Sequence, residues 1–94
     1  MTKSIGKLTA EARRLRILQT LHNATGYTAD LDVLCDYLLV GMIVLLEDVG
    51  WLADHGLVEL DLVDGVTSLR LTRLGKDVAM GRERISGVRR PEPQ

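Results

Sequence analysis

The dipeptide Asp64-Gly65 sits between two alternating apolar runs, and it constrains the fold more than any other feature of the chain. A two-residue type I′ turn needs positive φ at both central positions, which Asp-Gly supplies. With that turn closed, Glu59 faces Arg70, Leu60 faces Leu69 and Val58 faces Leu71. The aliphatic pairs then share one side of the hairpin and the ion pair takes the other, so register and burial agree.

Upstream of the hairpin the apolar period changes from two to about 3.6, the signature of helices. Thr9 is placed as an N-cap with Glu11 in the first turn, and Ala12, Leu15, Leu18 and Leu21 follow at helical spacing to about Asn23. A second helix is predicted from Thr28 or Asp30, with Leu31, Leu34, Cys35 and Leu38 on one side, ending or bending at Gly41. A third is predicted from Met42 to His55, closed by Gly56 as a C′ residue. Met42, Leu45, Leu46, Val49, Leu52 and Ala53 form its expected core stripe, which leaves Ile43, Val44 and Trp51 outside. After the hairpin, Thr72 caps a last helix from Arg73 to about Arg82 with Leu74 and Val78 inward. Gly75 inside it costs about 1 kcal/mol against alanine unless it permits close packing. The order predicts an α+β domain over residues 9–83, preceded by a flexible N-terminus at 1–8. It is followed by a basic, Pro-containing tail at 84–94 that composition alone leaves mobile.

Ninety-four residues make one domain with a modest core, and that core must be mostly aliphatic because Phe is absent. The lone Cys35 has no internal disulfide partner and fits a reducing compartment. The opening MTKSIGKLTAEARR has no apolar signal-peptide core. The run Tyr37 to Leu46 is half of the roughly 20 residues that cross a bilayer. The expectation is therefore a protein without membrane contact in the cytoplasm of its cell.

Three helices, a hairpin and a capped helix give the order of a winged helix-turn-helix. The stretches VGWLADHGLVEL, from Val49, and LRLTRLGKDVA, from Leu69, resemble the winged-helix regulators of the arsenic-repressor, multidrug-repressor and phenolic-acid-repressor types. From about Leu8 to Pro93 the chain resembles more closely a family of small winged-helix proteins of Mu-like transposable phages and prophages. That resemblance rests on EARRLRILQTL, Gly26-Tyr27, the step from Trp51 to Val58, LTRLGKDVA and the closing GRERISGVRRPEP. It implies a winged-helix fold, phage origin, a bacterial host cell and a DNA-associated role in gene regulation. Where that family has a more polar, partly basic start to the third helix, this chain has Met42-Ile43-Val44-Leu45-Leu46-Glu47-Asp48.

Charge argues against readout of bases through that helix. Between Arg16 and Arg70 there are nine acids and no Lys or Arg, a charge of −9. The two ends hold all twelve bases and four acids, +8, which restores the net −1. Base recognition typically needs Arg, Lys, Asn or Gln at the start of the recognition helix. The third helix offers none, and Glu47, Asp48, Asp54 and the hairpin acids Asp61 and Asp64 would face phosphates. Any duplex contact is therefore expected through Arg13, Arg14, Arg16, Arg82, Arg84, Arg89 and Arg90, as salt-dependent phosphate binding. These arginines are equally able to sit in solvent or to pair with the acidic middle of another copy.

Val40, Ile43, Val44 and Trp51 form the candidate interface, unless the tail or the first helix covers them. Acidic middle and basic ends suit head-to-tail or two-fold pairing, so a homodimer or a second phage protein is the expected partner. Catalysis, cofactors and metals are not expected. His22 and His55 lack ligand spacing, Cys35 lies on an apolar side, Asp30 and Asp32 read as capping and solvated, and no phosphate-binding glycine pattern occurs. The resulting expectation is a non-enzymatic binding module, dimeric and DNA-associated through its ends, with a pure protein adaptor as the alternative.

Overall fold

The computed structural model describes residues 9–92. The expected flexible stretch 1–8 and the last two tail residues lie outside the described residues. The chain forms an α+β domain with four helices and a three-stranded antiparallel sheet. Helix α1 spans Ala10–His22, and a 3-10 turn at Thr25–Tyr27 leads into strand β1, Thr28–Asp30. Helices α2, Leu31–Leu38, and α3, Met42–Asp54, follow. The hairpin strands are β2, Val58–Val63, and β3, Val66–Leu71, and helix α4 spans Arg73–Ala79.

The hairpin closes in the expected register, with Val58 opposite Leu71, Glu59 opposite Arg70 and Leu60 opposite Leu69. Asp64 and Gly65 take φ of 52° and 79°, as a type I′ turn requires. Arg70 donates to Glu59 at 2.9 Å and lies 3.6 Å from Asp61. Those two carboxylates raise the guanidinium pKa further, the hydrogen bond to Glu59 first.

Strand β1 departs from the sequence reading, which starts a helix in this stretch. Thr28, Ala29 and Asp30 pair with Arg70, Leu69 and Ser68, giving the sheet order β1-β3-β2. Ser68 Oγ donates to Asp30 at 2.8 Å. Three residues are too short for a period to show, so pairing with β3 decides their conformation.

The expected N-caps at Thr9 and Thr72 form, whereas Asp30 holds the N-cap position of α2 without a side-chain cap bond. Thr9 accepts from the Ala12 amide at 3.2 Å, and Thr72 accepts from the Gly75 amide at 3.0 Å while donating to the Gly56 carbonyl at 2.7 Å. Gly56 has φ 75° just past α3, the left-handed position of a helix exit. Gly75 permits close packing, since a Cβ there would overlap the Leu57 carbonyl oxygen and Leu71 Cδ1. Helix α4 stops at Ala79, earlier than expected, and Leu74 is exposed rather than inward.

The core gathers Ile17, Leu18 and Leu21 of α1 with Leu34, Leu45, Leu52, Leu57 and Leu69. Two members of the expected α3 stripe, Met42 and Leu46, are exposed instead. The buried line runs through Leu45, Asp48, Val49 and Leu52, so an acid occupies a core-facing position. The segment after α4 is not a free tail. It folds back as a strap: Ile85 packs on the core, Val88 is buried at 8% exposure, and the Arg89 amide donates to the Glu11 carbonyl at 3.2 Å.

Candidate functional site

Seven arginines and four apolar residues are the candidates to be located, and the fold divides both sets. Arg13 donates from Nε to Asp48 Oδ2 at 2.7 Å and from a terminal nitrogen to Oδ1 at 3.3 Å. The Asp48 side chain keeps 3% exposure, and the hydrogen bond it makes pushes the Arg13 pKa further up. Arg14 Nε lies 3.7 Å from Asp48 Oδ1, beyond hydrogen-bond range, so that contact is ionic. Two cations thus flank one buried carboxylate. This explains an acid in the α3 core line and corrects the expectation that Asp48 faces outward.

Arg14 also ties down the strap. It donates to the Gly87 carbonyl at 2.9 Å, and its guanidinium lies 4.2 Å from the centre of the Trp51 ring. His55 stacks on Trp51 at 3.7 Å. Gly87, at φ 103°, sits so close that any Cβ would enter the indole ring. Trp51 is therefore half-buried between Arg14, His55 and the strap, not part of an open patch. Val40 is likewise half-buried and packs on the core, its amide bonded to the Cys35 carbonyl at 3.1 Å.

Arg16, Arg82, Arg84, Arg89 and Arg90 remain exposed. Arg16, Arg89 and Arg90 line one open cleft of about 480 Å³ between α1, α4 and the strap, with Ala12, Leu15 and Met80. Only one acid, Glu92, lines it.

Ile43 and Val44 are exposed as expected, Ile43 at 77%. They do not stand alone. Tyr37 at 68% and Leu39 at 88% are exposed, with Val33, Met42 and Leu46. Cys35 Sγ lies 3.9 Å from Met42 Sδ, which brings the end of α2 against the start of α3. The two helices and the turn between them thus carry seven exposed apolar residues, with Asp32, Asp36 and Glu47 exposed on the same helices and Arg16 of α1 beside Tyr37 in one surface pocket. A second exposed set, Leu60, Leu62, Val63 and Val66, is on the hairpin. Among the described residues, Leu74 and Met80 are the exposed large apolar ones outside the base-free stretch of the chain. Tyr37 and Val33 had a sequence signal, since they lie four apart and off the inward side of α2. Leu39 had none, because its exposure follows from the helix ending one residue earlier.

Leu39 holds φ 59° and ψ 46°, the left-handed conformation, at the C-cap of α2. For a side chain with a Cβ this costs about 1–2 kcal/mol, and glycine or asparagine is the usual occupant. Cys35 packs beneath this turn. Partial burial, with Asp32 and Asp36 nearby, raises its thiol pKa.

Among the described residues no group of three His, Cys, Asp or Glu side chains is arranged to hold a metal ion. No helix among them is long and apolar enough to cross a membrane.

No family model matches the chain. It is 36% identical over 95 residues to "Uncharacterized protein gp26" of Escherichia phage Mu, covering 96% of this chain and 98% of that protein. The chain belongs to the family of that Mu phage protein.

Proposed function

We propose that the domain is a winged helix of a Mu-like phage acting as a non-enzymatic binding module, with α2 and α3 given over to protein contact. In this reading α2, the turn at Leu39–Gly41 and α3 occupy the helix-turn-helix positions, and β2–β3 is the wing. The observation that carries it is the outer side of α2–α3: Tyr37, Leu39, Ile43 and Leu46 are exposed, Asp32, Asp36 and Glu47 are exposed on the same helices, and neither helix contributes a base. Such a surface repels phosphate and offers no bidentate donor to a base edge. Contiguous exposed apolar area on a small domain marks an interface. Leu39 adds to the case, since local stability disfavours both its backbone conformation and its exposed side chain.

A second reading keeps a nucleic-acid role at the opposite charge. Arg16, Arg82, Arg84, Arg89 and Arg90 are exposed, and five phosphate contacts would give a salt slope of about −4.5 in log K. Arg13 and Arg14 drop out of that set, because Asp48, Gly87 and Trp51 occupy them.

Amide chemical-shift titration of labelled protein with a generic duplex at low salt tests both. The protein-contact reading expects residues 37–47 to stay unmoved. Shifts centred on α3 overturn it, and shifts confined to the five exposed arginines and their neighbours support the phosphate reading beside it.

A further inference from the structure

The geometry points to a second copy of this chain as the partner, docked head to tail: the α2–α3 face of one copy seats on the cleft between α1, α4 and the strap of the next. This rests on the protein-contact reading of the α2–α3 face. The face is apolar at Tyr37, Leu39, Ile43 and Leu46 and acidic at Asp32, Asp36 and Glu47. The cleft has the complementary make-up. Arg16, Arg89 and Arg90, with one acid, Glu92, stand around an apolar floor of Ala12, Leu15 and Met80, a net positive lining. Among the described residues nothing fills the mouth of the cleft, while its floor residues Ala12 and Leu15 are buried.

Charge selects the mode of pairing. A two-fold contact through the face would bring two sets of Asp32, Asp36 and Glu47 into one interface, with Arg16 beside Tyr37 offsetting part of that charge. A two-fold contact through the cleft would do the same to the three arginines. Like charges juxtaposed at an interface disfavour binding, whereas face on cleft matches opposite signs and apolar with apolar. Such a contact is heterologous. A pair so joined keeps one free face, on one copy, and one free cleft, on the other, so assembly grows into a chain unless the rotation closes a ring.

The test uses two variants of the full chain, each disabling one surface. Ile43→Asp lies in the first turn of α3, where an acid is favoured by the helix dipole, so the fold survives the change. Arg89→Glu with Arg90→Glu alters exposed side chains and leaves the Arg89 backbone bond to Glu11 in place. Retained Trp51 fluorescence verifies that the strap stays docked in both.

Molar mass is measured by light scattering across concentration and salt for each protein and for the mixture. Wild type is expected to grow beyond a dimer at low salt. Each variant alone should be monomeric, and the mixture should form a dimer of one variant with the other and grow no further. Each exposed ion pair contributes at most about fivefold in affinity, so high salt should shorten the assembly.

If the arginine variant still associates while Ile43→Asp does not, the face pairs with itself. Head-to-tail docking is then overturned and the protein-contact reading stands. Association of Ile43→Asp alone overturns both. A wild type that stays monomeric throughout overturns the second copy as occupant. Loss of duplex binding by the arginine variant with assembly unchanged assigns those arginines to phosphate and overturns the cleft as a docking site.

Discussion

Replacing Asp48 by Asn removes the one buried carboxylate between Arg13 and Arg14. Asp48 is 2% exposed and takes two hydrogen bonds from Arg13, with Arg14 Nε at 3.7 Å and itself buried without another partner. Breaking a fully buried ion pair by removing one partner costs about 3–5 kcal/mol. Here the Arg13 and Arg14 side chains retain 22% and 17% exposure, so water screens part of the loss. A cost of about 2–3 kcal/mol is the reasonable figure. For a domain of this size each kcal/mol moves Tm by about 4–8 °C, so Asp48→Asn should lower Tm by about 10–20 °C. Circular dichroism melting reads this directly. The same reasoning makes the effects non-additive. Asp48→Leu combined with Arg13→Met should cost less than the two single changes together, by about 1 kcal/mol or more. A Tm change below about 3 °C for Asp48→Asn, or strictly additive single effects, would refute the buried ion pair as a structural element.

Three further changes probe other joints. Gly75→Ala gains about 1 kcal/mol in helix propensity but drives a Cβ into the Leu57 carbonyl, an overpacking cost of about 1–3 kcal/mol, so thermal melting should show a net loss; a raised Tm would contradict the packing argument. Gly87→Ala meets both the positive φ and the Trp51 ring, so the strap should leave α3 and Trp51 emission should shift to the red, while an unchanged spectrum would show that the strap tolerates a Cβ. Cys35 has its pKa raised, first by burial and then by Asp32 and Asp36, so less thiolate is present at any given pH. Its alkylation near pH 8 should run slower than that of a free thiol. A raised folded pKa also means that this contribution to stability is full below the unfolded value and is lost as pH rises through the folded one. Alkylation as fast as in a short peptide would contradict this.

The hairpin register was legible because turn chemistry, alternation and cross-strand charge all specify it, but burial was not, since Leu60 and Leu62 on the expected apolar side are exposed. The caps at Thr9, Thr72 and Gly56 were legible for the same reason, each being a local preference with a local cause. What escaped the sequence depends on contacts distant in the chain. Asp48 reads as a surface acid until Arg13, 35 positions away, is placed beside it. Trp51 reads as surplus until Gly87 and Arg14 close over it, and the tail reads as mobile until Val88 reaches the core. Strand β1 exists only because β3 is there to pair with it. Within the candidate site, Ile43 was visible as an unplaced apolar residue, but Leu39 required knowing where α2 ends. The seven-arginine patch was a correct count of charge and an incomplete account of it, since charge alone does not say which cations the fold occupies.

The most direct test of the central claim is a dilution series of amide chemical shifts on the labelled wild-type protein at low salt. Self-association through the α2–α3 face predicts concentration-dependent shifts clustered at Tyr37, Leu39, Ile43 and Leu46, with a matching set around Arg16, Arg89 and Arg90. Shifts that do not change with concentration, or that cluster anywhere else, would contradict it.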